Sequence, residues 1–285
     1  MTDDGERQRL TGDTGRTRRT LSSVRNAARL LKEFSISEPE LGVTELSIRL
    51  GIGKSTVHRL LATLLSEDLV QQDLTTGRYR LGLAVHDLGS AVSAGSNLHA
   101  AALLPMSDLR DRTGETVQVG VLDGREVVYV ERLDSPNTLR LFVDVGRRAE
   151  ANATGTGKCL LAFLPPDVLD RLLDGWQLRR RTPHTIVNQA ELRRDLRRIR
   201  RSGYAVTQNE SEMGVLSVAA PIRDTAGRAV AAISVAGPAQ RMEHALPSIT
   251  RAVSEAGAAA SRRLGWRASS GDGGHTPRGD AAGSP

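Results

Sequence analysis

The chain has 285 residues, of which 39% are hydrophobic and 25% charged, with a formal net charge of +6. That is enough for about two ordinary domains, while a single cysteine excludes an intramolecular disulfide and a thiolate metal centre. No secretory signal and no stretch of roughly 18 apolar residues is present, so the expected setting is the cytoplasm, with no membrane partner and no cofactor.

Residues 1–20 are rich in Thr, Gly, Asp and Arg without apolar periodicity and are expected to form a disordered arm. A helix is signalled from Ser22, with Ser22 or Ser23 as its cap and Val24, Ala27, Ala28, Leu30, Leu31 and Phe34 as its apolar stripe. After the break at Pro39 and Gly42, Thr44 is placed to cap a short helix ending at Leu50, and Gly51-Ile52-Gly53 reads as a turn. A third helix, from about Lys54 to Glu67, carries Val57, Leu60, Leu61, Leu64 and Leu65 on one face. Two short strands around Leu69–Gln72 and Arg78–Leu81 then form a hairpin, with Gly77 free to take a positive φ. Helix, helix, turn, helix, hairpin is the order of a winged helix-turn-helix over residues 21–82.

Residues 83–98 read as a helix joining the halves, and residues 99–266 as an α+β domain. Its expected elements are a helix at Leu103–Arg112, a hairpin of Thr116–Val121 and Glu126–Glu131, and a strand at Thr138–Val143. Helices follow at Gly157–Phe163 and Pro166–Leu173, then strands at Tyr204–Val206, Leu216–Ile222 and Val230–Val235, and a last helix from Leu246 to Leu264. The arginine-rich run Arg193–Arg201 hides a Leu192, Leu196, Ile199 stripe, so it reads as an amphipathic helix with a solvated basic face. Residues 267–285 are expected to be a disordered tail.

Chemistry concentrates on the third helix. At about 100° per residue its apolar side chains share one arc, leaving Lys54, Ser55, Thr56, His58, Arg59 and Thr63 on or beside the other. Short polar residues near a helix start suit close approach to phosphate, and an arginine one turn on can make a bidentate contact to guanine in the major groove. An ordinary solvated face is the alternative for the isolated helix; the helix-turn-helix order favours double-stranded DNA. Arg78, beside the hairpin turn, is placed either to reach DNA or simply to face solvent. Gly53-Lys54-Ser55 and Gly157-Lys158-Cys159 imitate phosphate loops, but Ile48 and Asn152 stand where the first glycine belongs.

The stretch Thr44-Glu45-Leu46, followed by GIGKSTVHRLLATL and GRYRLG, resembles the DNA-binding domain of the IclR family of bacterial regulators. The resemblance continues through TGETVQVGVLDG, VGRRAEANATGTGKCLLAFLP, SGYAVTQNESEMGVLSVAAPI and AAISVAGP, in order, and covers about residues 22 to 265. It implies a winged helix-turn-helix and a GAF-like effector domain with an antiparallel sheet, working as a homodimer or homotetramer that senses a small-molecule effector. Transferred by position, it points to Gly155, Thr156, Ser217 and Ser234 as the effector-binding residues. Ala236 stands where such regulators have a second serine, and Thr207 where a glyoxylate-binding relative is acidic, implying a larger or less oxygen-rich ligand. Gly155-Thr156-Gly157, opening a helix, would add backbone N–H groups for an anion. The competing readings are an enzyme acting on a small acid, for which no histidine or acid pair has a catalytic spacing, and an architectural DNA binder whose second domain only dimerises.

Overall fold

The computed structural model describes residues 21–35, 38–137 and 145–267, with backbone alone at 90–96. The expected arm at 1–20, the strand at Thr138–Val143 and all but the first residue of the tail lie outside the described residues. The chain divides into two compact units between Val92 and Ser93, inside the helix α4 (Leu83–Ser96).

The first unit contains α1 (Ser22–Leu31), α2 (Val43–Leu50), α3 (Lys54–Ser66) and the antiparallel hairpin of β1 (Val70–Gln72) and β2 (Tyr79–Leu81). Its core joins Leu30, Phe34, Leu46, Leu50, Val57, Leu61, Leu64, Val70 and Tyr79. The expected stripe of α1 is buried only at its C-terminal end, and Val24 stays exposed, as does Leu65 at the far end of α3. Neither predicted cap holds. Leu21 takes the cap position of α1; at α2 the cap is Gly42, whose N–H donates to the Glu45 carboxylate at 2.7 Å. Thr44 therefore lies at the second helical position; Glu45 reaches back to the Gly42 amide, and no side chain caps the helix amides that an N-cap hydroxyl would take. Gly51 closes α2 at φ +66°, a left-handed turn that a side chain would strain.

The second unit opens with α5 (Leu98–Thr113), which begins five residues earlier than its apolar pattern suggested. Its sheet is formed by β3 (Thr116–Asp123), β4 (Glu126–Leu133), β5 (Arg148–Glu150), β6 (Ala205–Gln208), β7 (Val215–Arg223) and β8 (Ala229–Pro238). The strand order is β5-β4-β3-β8-β7-β6 and every pairing is antiparallel. Strands β3 and β4 turn over Gly124 and Arg125, as the hairpin signal required. Alternation along the strands sends Val117, Val119, Leu216, Val218, Ile233 and Val235 to a face covered by α5 and α10 (Leu246–Arg263). The opposite face packs against α6 (Gly155–Phe163), with α7 (Pro166–Leu173) and α8 (Gln189–Ser202) outside it. The short helix α9 (Ala239–Glu243) has no counterpart in the sequence reading. On α8, Leu192, Leu196 and Ile199 are buried as the amphipathic pattern demanded. Among the described residues no helix is long and apolar enough to cross a membrane.

Candidate DNA-reading helix and effector cleft

Helix α3 buries Val57, Leu61 and Leu64 against its own unit and leaves Lys54, Ser55, Thr56, His58, Arg59, Ala62 and Thr63 exposed. The exposed face is thus the one that helical periodicity selects. Its N-cap is Gly53, which supplies no side-chain cap, so the positive end of the helix is open beside Ser55 and Thr56. The Thr63 hydroxyl donates back to the Arg59 carbonyl at 3.0 Å, which leaves it only an acceptor to offer outward.

Arg78 is paired within its own unit. Its guanidinium donates to the Glu45 carboxylate at 2.8 Å and to the Glu40 carbonyl at 2.9 Å, tying the hairpin to the cap of α2. The Gly42 N–H, and after it the Arg78 guanidinium, hold the Glu45 carboxyl below the usual range. Arg78 is thus tied to its own unit through Nη2, with its side chain 39% exposed beside the hairpin.

In the second unit, strand alternation brings Gln118 of β3, Ser217 of β7 and Ser234 and Ala236 of β8 to the α6 face. Two rows cross the sheet there. Gln118 lies opposite Ser234, which lies opposite Ala219; Ala236 lies opposite Ser217, which lies opposite Thr207. Helix α6 starts directly over these rows, capped by Thr154, whose hydroxyl oxygen accepts from the Gly157 N–H at 3.1 Å. The helix can sit this low because Gly157 has no side chain: a Cβ there would stand 2.4 Å from the Ala151 Cα and carbonyl oxygen.

A cleft of about 720 Å³ opens at the start of α6. Gln118, Gly155, Ser217 and Ala236 line its inner wall, and Arg147, Arg148, Arg179, Arg181, Glu126, Glu150 and Glu212 bring charge to it. Arg148 is matched by Asp123 and Glu126, and Arg179 by Glu150. Arg181 has no carboxylate partner among the described residues. Two loops that contribute lining are fastened together, since Thr182 donates to the Asn209 carbonyl and Thr185 to the Glu210 carbonyl at 2.7 Å. Beneath them lies a buried ionic triad. Lys158 of α6, fully buried, contacts Asp195 of α8 at 3.0 Å and Glu210 at 2.6 Å. Burial opposes the charge on both acids. At Asp195 it is overruled by Lys158 and Arg198, which hold the carboxyl below its usual range, whereas at Glu210 burial prevails and the pKa rises.

The four residues transferred by resemblance are adjacent, but they divide by role. Gly155 and Ser217 line the cleft. Thr156 and Ser234 are buried behind its wall, where the Thr156 hydroxyl donates to Ser234 Oγ at 3.0 Å. Gln118, Arg181 and the Lys158 triad were missed; a polar residue at the inward position of a strand was the available signal for Gln118. Cys159 is buried in α6 and burial raises its thiol pKa, so it is no nucleophile.

Residues 23–74 match the family described as IclR helix-turn-helix domain, and residues 90–262 the family described as Bacterial transcriptional regulator IclR C-terminal. The HTH-type transcriptional regulator XynR of Escherichia coli is 35% identical over 249 residues, spanning 87% of this chain and 99% of that protein. The HTH-type transcriptional regulator BhcR of Paracoccus denitrificans is 38% identical over 241 residues, spanning 85% and 83%. Among solved structures, an IclR homologue from Microbacterium hydrocarbonoxydans complexed with 4-hydroxybenzoate superimposes with a TM-score of 0.77 at 26% identity, covering 85% of this chain and 99% of that one. Both halves, in their expected order and over nearly their whole length, match one group of proteins that are regulators and not enzymes. The chain belongs to the IclR family of ligand-responsive, DNA-binding bacterial transcription regulators.

Proposed function

We propose that residues 21–82 read a palindromic operator, that residues 83–98 link the halves, and that residues 99–266 bind a small organic acid and oligomerise. The observation that carries the DNA reading is the exposed polar face of α3, where Lys54, Ser55, Thr56, His58, Arg59 and Thr63 stand clear of the core. Lys54, Ser55 and Thr56 position the helix on phosphates, and Arg59 reads a base edge. One such helix covers few base pairs, so a homodimer or homotetramer gains specificity from half-site spacing. The acid reading is supported by Arg181 in the cleft lining, which has no carboxylate partner among the described residues, and by the bound 4-hydroxybenzoate of the Microbacterium homologue. The working compartment on this reading is the cytoplasm, where DNA and metabolites meet.

The test uses a duplex selected by the protein from a random DNA pool. Arg59→Ala is expected to weaken binding by about 1 to 3 kcal/mol in gel-shift titration, with the loss concentrated on the selected sequence over bulk DNA. Unchanged affinity in a folded variant removes α3 as the reader. On the same duplex, sedimentation is expected to show at least two chains per operator; one chain per site at full affinity ends the oligomeric reading.

A further inference from the structure

We propose that Gln118 reads an acceptor oxygen on the effector, so that the cleft selects acids carrying a hydroxyl or oxo group away from the carboxylate over plain hydrocarbon acids. This rests on the reading of the cleft as the effector site. Gln118 is 2% exposed and lines the cleft, yet its Nε2 has no hydrogen-bond partner. A buried amide left unpaired carries its desolvation cost uncompensated, and a native strand rarely retains one without cause. The side chain has little room to escape, because β3 is paired on both sides and fixes it between Arg132 and Ser234. Neither neighbour relieves it. Arg132 offers only donors, and no hydrogen bond runs from Gln118 to Ser234, whose Oγ accepts from Thr156. The remaining open direction is the cleft.

An acid entering there meets unlike ends. The Arg181 guanidinium is free of carboxylates among the described residues and suits an anion, while the Ser217 hydroxyl and the Gln118 amide stand on the inner wall. A hydroxyl on the ligand satisfies Gln118 with its oxygen and retains a proton for another acceptor. The volume, about 720 Å³, accommodates a molecule well beyond two carbons. Ala236 leaves an apolar patch beside this donor, so size and placement of oxygen distinguish the ligand rather than a lack of oxygen.

The probes are matched pairs: 4-hydroxybenzoate and benzoate, 6-hydroxyhexanoate and hexanoate, 4-hydroxybutyrate and butyrate, titrated calorimetrically into the full chain. The wild type is expected to bind the oxygenated member of at least one pair about tenfold or more tighter, since a site built to bond an oxygen discriminates against its absence. Gln118→Leu, close in size but without the amide, should bring that pair to near equality by weakening only the oxygenated acid. Its unliganded unfolding temperature should be no lower than that of the wild type, because an unsatisfied buried group has been removed. Gln118→Glu, which keeps the shape and loses the donor, should also lose the preference and serves if the leucine variant fails to fold. Equal binding within every pair by the wild type, or a preference surviving both substitutions, overturns the role of Gln118 while leaving the cleft as an acid site. Failure of all six acids to bind overturns the acid site and this proposal together.

Discussion

Lys158→Met is expected to destabilise the second unit by about 3 to 5 kcal/mol at neutral pH, because it leaves the half-buried Glu210 without a cation and Asp195 with Arg198 alone. Both tryptophans, Trp176 and Trp266, lie in that unit, so urea unfolding followed by indole fluorescence reads it selectively. The pH dependence separates this cause from simple loss of packing. In the wild type, Asp195 has a lowered pKa and contributes stability above its unfolded value that is lost as pH falls through the folded one. Glu210 has a raised pKa and acts oppositely, contributing fully below its unfolded value and losing that contribution as pH rises through the folded one. Without Lys158 both acids become easier to protonate. The deficit of the variant should therefore shrink on acidification toward pH 5, and a deficit that is small at pH 7 or grows in acid contradicts the triad as drawn.

Gly157→Ala is expected to cost about 3 kcal/mol, even though alanine is the better helix former by about 1 kcal/mol. The added methyl meets the Ala151 backbone at 2.4 Å, and backbone yields less readily than a side chain. Relief requires the segment at 151–153 or the start of α6 to move, so the Thr154 cap and the Gly155 wall should shift with it. Urea unfolding of the second unit measures the loss. An unfolding midpoint equal to that of the wild type shows that α6 does not depend on this close approach.

The sequence made much of this architecture legible because period alone carries it. The Val57, Leu61, Leu64 face of α3 and the Leu192, Leu196, Ile199 face of α8 are three-and-four patterns, and each is buried as read. The caps were less legible. At α2 the cap position falls on Gly42 and not on Thr44, its amide is held by Glu45, and the arrangement is completed by Arg78 from the hairpin, which local reading has no means of placing. The same limit applies to the cleft. Gly155 and Ser217 meet across the sequence because α6 crosses β7, and Lys158 finds Asp195 and Glu210 only when α6, α8 and the loop before β7 converge. Asp195 was hidden among arginines, where charge counting marks a solvated face and burial is decided by one helix position. Gln118 was passed over for a related reason: its unmet donor is a property of the neighbours that fail to reach it.

The strand order β5-β4-β3-β8-β7-β6 places β3, made early in the second unit, beside β8, made near its end. During synthesis on the ribosome, β3 and β4 can form their hairpin at once, yet the β3 edge that will receive β8 must wait for nearly all of the intervening chain. The first unit makes no such demand, since its helices and hairpin close within residues 21–82. A nascent chain would thus carry a finished DNA-reading unit while its sensor still exposed an unpaired apolar strand, the condition in which chaperone capture and aggregation compete with folding. Truncation after β3 but before β8 should accordingly yield an insoluble polypeptide rather than a constitutively DNA-bound fragment.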